Sequence, residues 1–210
     1  MNEILYPSLG ETWLAVLREV YRSGRTVGEE TRELLGVVAA FEQGDAQDPL
    51  LLRFADRRDI EEMRKVFFSA APNQFGHSYA DKLRGPLGRN DLSDVAELLA
   101  REPWSKRAVV TLVGGGDGRV PCINVVHFLR RDGGLLATYF ARGQDIFRKF
   151  PADALCIYEM AQRVAARLDI PVVLISGIIS SAHIYLADLP AIRTLLAEAE
   201  AYCAPGSRLA

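Results

Sequence analysis

The sequence predicts an α+β fold, one domain over residues 1–210 in which helices cover a mixed sheet. Three observations carry that expectation. Amphipathic stretches at helical spacing and short apolar runs of strand length follow one another without a regular strand-helix-strand repeat. Residues 122–140 hold two apolar runs around "RRDGG", a hairpin signal. No internal repeat, low-complexity tract or long polar linker divides the chain.

The elements follow in order. Residues 12–23 place Trp13, Val16, Leu17 and Val20 on one helical face, and residues 26–28 read as a turn. The run "LLGVVAAF" at 34–41 fits a buried strand. Residues 58–68 have a helical pattern that "SAAPNQFG" breaks. Residues 91–101 form a second amphipathic helix, with Leu92, Val95, Leu98 and Leu99 on one face and Asp91 or Ser93 as its cap. Residues 108–113 read as a strand and 114–118 as a turn; the hairpin strands are 122–129 and 135–140. Residues 153–168 make a long helix, expected to be the most buried, followed by a strand at 172–179 and a closing helix at 190–202.

Composition narrows the function. A net charge of −2 gives no electrostatic footprint for a nucleic acid polymer. No apolar run approaches the roughly 18–20 residues that span a bilayer, and "MNEILYPSLGET" lacks the basic and apolar regions of a signal peptide. Cys122, Cys156 and Cys203 are odd in number and widely spaced, which argues against both a disulfide framework and a metal cluster. The expectation is a cytoplasmic protein without a membrane partner or a bound metal.

Few residues carry obvious chemistry. A free cysteine in an apolar strand is usually a small core residue. Cys122 differs because it opens its strand directly after Pro121, where a thiol faces a cavity, and arginines such as Arg119 and Arg142 would favour its thiolate. His127 falls on the opposite face by strand alternation and reads as a satisfied strand histidine, not as a partner of Cys122. His183 and Tyr185 share a face: a pair for a hydroxyl-bearing ligand such as a sugar, or groups satisfied internally. Lys106 and Arg107 are a solvated turn or a phosphate clamp. "GGGDG" at 114–118 lacks the Lys-Ser/Thr of a phosphate loop. Finally, "ARGQDIFRKFPAD" at 141–153 brings Arg142, Asp145 and Asp153 to the entrance of a core helix, where charges need partners.

Taken in order, "SKRAVV" (105–110), "VPCINVVHFLRRDGGLLATYFARGQDIFRKFPAD" (120–153) and "SSAHIYL" (180–186) resemble the thymidylate synthase superfamily, with a weaker match at "FGHSYADKLRG" (75–85). The likeness spans roughly residues 75–190 and rests on a nucleophile, an Arg-x-x-Asp segment and a His-x-Tyr pair in the family's order. It implies a thymidylate synthase-like fold and addition of the Cys122 thiolate to C6 of a pyrimidine nucleoside monophosphate. C5 then becomes nucleophilic enough to take a one-carbon unit from 5,10-methylenetetrahydrofolate. Arg142 and, more loosely, Arg25 match arginines that hold the phosphate. Lys106 and Arg107 match a clamp supplied by the other subunit, which implies a homodimer with shared active sites. His183 and Tyr185 match the sugar pair, and Asp145 matches the aspartate that engages the folate. Glu62 matches the glutamate that organises proton transfer, with Glu61 as its competitor.

The departures matter as much. The family's synthases have Asn where this chain has Asp153, and an ionised carboxylate only accepts hydrogen bonds. It suits the N4 amino group of cytosine and opposes the O4 of uracil. Aspartate there resembles the cytidylate branch of the superfamily, so the resemblance implies a CMP or dCMP 5-hydroxymethylase. The alternatives are a shortened thymidylate synthase that methylates dUMP and a catalytically silent nucleotide-binding homologue. Gly143 stands where the family has Ser, Ala141 where it has Gln, and Lys106 where it has Arg; "CAPGSRLA" has no match to the segment that closes over folate.

Overall fold

The computed structural model describes residues 2–69, 79–80, 91–113 and 120–204. Segments 75–85 (apart from Tyr79 and Ala80), 114–118 and the C-terminal end beyond residue 204 therefore lie outside the described residues, as does Arg119. The described elements are β1 Asn2–Ser8, α1 Leu9–Ser23, β2 Arg25–Val27, β3 Thr31–Gln43, α2 Pro49–Phe54, α3 Arg57–Phe68, α4 Asp91–Arg101, β4 Val109–Thr111, β5 Ile123–Arg131, β6 Gly134–Ala141, β7 Gln144–Asp145, α5 Phe150–Leu168, β8 Val172–Tyr185 and α6 Leu189–Cys203. The expected α+β class with a mixed sheet is what forms.

The sheet runs β1-β3-β8-β6-β5-β4, with β2 attached to β3 and β7 to β8. β1–β3, β6–β8 and β7–β8 pair parallel, and the other pairs are antiparallel. The hairpin of β5 and β6 turns at Asp132 and Gly133, both at positive φ (50° and 79°), the geometry of a two-residue turn that matches strand twist.

Helix α1 begins three residues earlier than the apolar spacing predicts, because Ser8 and Glu11 form a reciprocal cap on its first turn. Its buried face is tied down by Thr12 Oγ1 donating to the Ala40 carbonyl and Trp13 Nε1 donating to the Ile146 carbonyl (2.9 and 2.8 Å). Trp13, Phe41, Phe67, Phe128, Tyr139 and Phe150 are the largest side chains fully removed from water. Helix α5 is indeed deeply enclosed, with Phe150 to Ile157 buried without a break.

Three expectations are corrected and one strand is added to them. Of the expected turn at 26–28, Thr26 and Val27 belong instead to strand β2, since Arg25 to Val27 find antiparallel partners in Glu33, Arg32 and Thr31; only Gly28, at φ 61°, lies in the reversal. Strand β1 was not foreseen from its pattern, being an edge strand with mixed exposure. β8 continues six residues past Ile179 because Glu33 to Thr31 of β3 go on pairing with His183 to Tyr185. His127 is not internally satisfied: its Nε2 is buried without a hydrogen-bond partner, on the sheet face that turns away from the helices.

Candidate active site

The site grows from the β5–β6 hairpin. Antiparallel pairing sets the start of β5 opposite the end of β6, so Ile123 faces Ala141 and the two flanking residues, Cys122 and Arg142, become neighbours. The Arg142 N–H donates to the Cys122 carbonyl at 3.0 Å. The Arg142 guanidinium folds back under the same loop, donating from Nε and Nη2 to the carbonyls of Val120 and Pro121 at 3.0–3.3 Å. Past Arg142 the chain crosses to β8. Gly143 lies against the His183 ring, where a Cβ would come within 3.7 Å of Cε1, and β7 then sets Gln144 and Asp145 beside Ala182 and His183.

Asp145 next caps the turn that launches α5: its Oδ1 accepts from the backbone N–H groups of Phe147 and Arg148 (3.0 and 3.1 Å). Burial pushes the Asp145 carboxyl above its usual range, although those two N–H groups and His183 oppose the shift. The helix begins at Phe150, with Pro151 in its first turn, and the Asp153 N–H already bonds the Lys149 carbonyl at 2.9 Å. Asp153 is thus inside the helix, and its carboxylate is no cap.

That carboxylate is the centre of the site. Asp153 is only 4% exposed; its Oδ2 accepts from Gln144 Nε2 at 3.2 Å, and its Oδ1 is buried without a partner. Burial drives its pKa up to about 7, against the pull of the Gln144 hydrogen bond and Lys149, while Asp145 and Asp59 push the same way as burial. Behind it, the Tyr139 hydroxyl donates to Gln144 Oε1 at 3.4 Å. Tyr79 is buried against Phe67 (ring centroids 4.4 Å apart), and both Asp153 and Cys122 act on its hydroxyl.

Cys122 is exposed, as a nucleophile must be, but its thiol is not activated as the sequence led us to expect. Burial of its surroundings, then the Asp153 charge, hold its pKa above the ordinary value, and Arg142 only partly offsets them. Protonation of Asp153, or a cation placed between the two groups, would favour thiolate.

His183 and Tyr185 meet edge to face with ring centroids 5.7 Å apart, on the same side of β8. Across the sheet, pairing carries the row outward from Asp145 to His183, then Glu33, then Arg25. Arg25 is exposed at the outer end of that row. The sequence-predicted Arg142, Asp145, Asp153, Cys122, His183 and Tyr185 are therefore brought into one region, with Arg25 on its margin.

Three other candidates stand apart. Lys106 and Arg107 lie in the exposed connection before β4, and the Arg107 guanidinium, 72% exposed, pairs with Glu102. Glu62 points to solvent, 64% exposed and paired with Lys65 at 3.0 Å one turn away; Glu61 is exposed as well. The acid of α3 that turns inward is Asp59, which pairs with Lys149 at 3.1 Å. Sequence reasoning missed Gln144 and Tyr139. Their only signal was position: Gln144 is sandwiched in "ARGQD", and Tyr139 sits in an apolar run where it reads as core.

Chemically, the region offers an accessible thiol, a buried carboxyl with one free oxygen, and an imidazole–phenol pair, with arginines at its edge. No family model matches the chain. The chain is 26% identical over 206 residues to a protein of Methanothermobacter marburgensis named "Putative thymidylate synthase", covering 87% of this chain and 92% of that protein. A protein of the same name from Methanosarcina barkeri is 28% identical over 196 residues, covering 86% and 88% respectively. A third, from Methanothermobacter thermautotrophicus, is 25% identical over 200 residues.

Proposed function

We propose that this member of a thymidylate synthase-like superfamily is a 5-hydroxymethylase of cytidine monophosphate, ribo or deoxyribo. The observation that carries the reading is Asp153: a buried carboxyl, held from behind by Gln144, with a partner-free Oδ1 in the region of Cys122. Ionised, Oδ1 accepts from the N4 amino group of cytosine. Uracil O4 would put acceptor against acceptor, at about 1–3 kcal/mol for one unsatisfied buried group and more for a charge. A pKa of about 7 adds a second competence, since the neutral acid can deliver a proton to cytosine N3 once C6 has been attacked.

In this reading the Cys122 sulfur adds to C6, and electron density moves to C5. Arg142 and Arg25 receive the phosphate, while His183 and Tyr185 meet the sugar. Asp145 has one oxygen committed to backbone and the other available, which suits the donors of a pterin ring. Bound there, 5,10-methylenetetrahydrofolate would supply the one-carbon unit and leave as tetrahydrofolate. Water would supply the hydroxyl oxygen, the C5 proton would be lost and the C6–sulfur bond to Cys122 would break. Lys106 and Arg107, exposed in the connection before β4, would serve the phosphate of a second copy. The sheet face away from the helices offers a seat for that copy: Val109, Ile178 and Leu5 are each at least 41% exposed along it. Glu62 has no support for the proton-transfer role in the geometry described above.

A second reading has one observation in its favour. The relatives are named for thymidylate synthase, and a protonated Asp153 would donate to uracil O4. Incubating the protein with CMP, dCMP, UMP and dUMP plus 5,10-methylenetetrahydrofolate, and weighing the products by mass spectrometry, separates the two. Hydroxymethylated cytidylate is expected. Methylated dUMP with dihydrofolate would establish the synthase reading, and binding with no product or C5 proton exchange would leave a silent homologue.

A further inference from the structure

We propose that Gln144 is a positioning residue that keeps the exchangeable proton of Asp153 on the oxygen facing the pyrimidine, and that Tyr139 locks it in that orientation. The inference rests on the base-reading role of Asp153 proposed above.

A primary amide is nearly symmetric in shape but opposite in polarity at its two ends, so a buried glutamine can present either an acceptor or a donor to its neighbour. Here the choice is made by Tyr139. Its hydroxyl is a donor to Gln144 Oε1 at 3.4 Å, which leaves Nε2 to donate to Asp153 Oδ2 at 3.2 Å. Gln144 is 1% exposed, so solvent offers no alternative partner. Tyr139 in turn has a fixed place: its ring lies over Gly177, where a Cβ would come within 2.4 Å of it. Gly177 pairs with Tyr139 across β6 and β8, so the empty space beneath the ring is built into the sheet.

The consequence falls on the proton. With an N–H donor on Oδ2, a proton carried by the carboxyl sits on Oδ1, the atom without a partner. With the amide reversed, Oε1 would face Oδ2 and draw the proton there, out of reach of substrate. The Tyr139–Gln144 pair thus makes Asp153 both acceptor and acid through one oxygen. The other groups acting on Asp153 do so mainly through charge and do not choose between its oxygens: Lys149 just before α5, Cys156 on α5, Asp59 on α3, Asp145 on β7, and Cys122 and Tyr79 beside it.

The test titrates Asp153 in the free protein by carboxyl carbon NMR, with its signal assigned by disappearance in Asp153→Asn. Gln144→Met keeps the volume and removes the donor, and should raise the midpoint by about one pH unit, since a hydrogen bond to the charged form is lost. The ratio of kcat/KM for cytidylate over uridylate should fall about tenfold or more in the same variant. Tyr139→Phe should shift both in the same direction by less, and the double variant should match Gln144→Met alone, because Tyr139 acts only through Gln144. An unchanged midpoint in a Gln144→Met protein with wild-type melting overturns the proposal, as do additive effects in the double variant. If Gln144→Met fails to fold, an unshifted midpoint in Tyr139→Phe overturns it instead. A wild type that prefers dUMP, with the midpoint still moved by Gln144→Met, sinks the substrate reading and leaves the positioning role standing.

Discussion

The two ends of the proposed site, one for the base and one for the phosphate, are built differently. At the base end, Tyr139, Gln144 and Asp153 form a buried chain of side chains, each with a defined neighbour. At the phosphate end, Arg25 is exposed, Arg142 spends three donor contacts on its own loop, and Arg107 is paired with Glu102. Burial explains the contrast. A hydrogen-bond reader needs low dielectric and fixed partners to discriminate, while a phosphate is held by long cationic side chains that stay hydrated until it arrives. In the proposed reading, the base end is complete within one chain and a second copy finishes the phosphate end.

Substitutions at each end sharpen this contrast, and the largest effect belongs to the group between them. Cys122→Ser should abolish exchange of the pyrimidine C5 proton while nucleotide binding persists; wild-type exchange in that variant would contradict a covalent role. Next comes the cost of burying Asp153. Its folded pKa of about 7 exceeds the ordinary 3.8, so the folded protein holds the proton more tightly than the unfolded chain does. The resulting stabilisation is full below about pH 4 and is lost as pH rises through 7, by at most about 4 kcal/mol. Asp153→Asn should remove that decline, raising the melting temperature at pH 8 relative to wild type far more than at pH 4. Equal melting temperatures at both pH values would show the carboxyl is not buried in this way.

Effects at the phosphate end should be smaller. Arg142→Ala should weaken nucleotide binding by about 1.5–3 kcal/mol, the worth of a charge-assisted contact, with little change in base preference. A change in base preference would mean that the two ends are not separable. Mixing Arg107→Ala with Cys122→Ser protein should recover part of the activity through hybrid dimers that hold one intact site. No recovery, with subunit exchange verified, would confine the site to one chain.

What the sequence revealed follows the same division. The β5–β6 hairpin is legible because Asp132-Gly133 is a strong local turn signal, and that hairpin is what joins Cys122 to Arg142. The span of helix α4 is legible to the residue from its apolar face, although Asp91 and Ser93, the expected caps, both lie inside it. The start of α5 is not. Lys149 offers no side-chain cap and Pro151 reads as a break, so Asp153 looks like the first residue of the helix when it is already enclosed by it. The resemblance points to Glu62 or Glu61, but two adjacent acids on an exposed helical face give no means of telling which turns inward, and neither does. Gln144 and Tyr139 were invisible because their meaning lies in a contact across β6, β7 and α5, which no spacing encodes.

The central claim is that Asp153 reads the base, and one substitution tests it directly. Asp153→Asn restores a donor opposite uracil O4 while leaving the helix intact, since the carboxylate is not its cap. Measuring kcat/KM for CMP, dCMP, UMP and dUMP with wild type and Asp153→Asn should show wild type favouring cytidylate. The variant should be displaced towards uridylate by about two to four powers of ten in the ratio. An unaltered preference for cytidylate in the variant, or a wild type that already prefers dUMP, would contradict it.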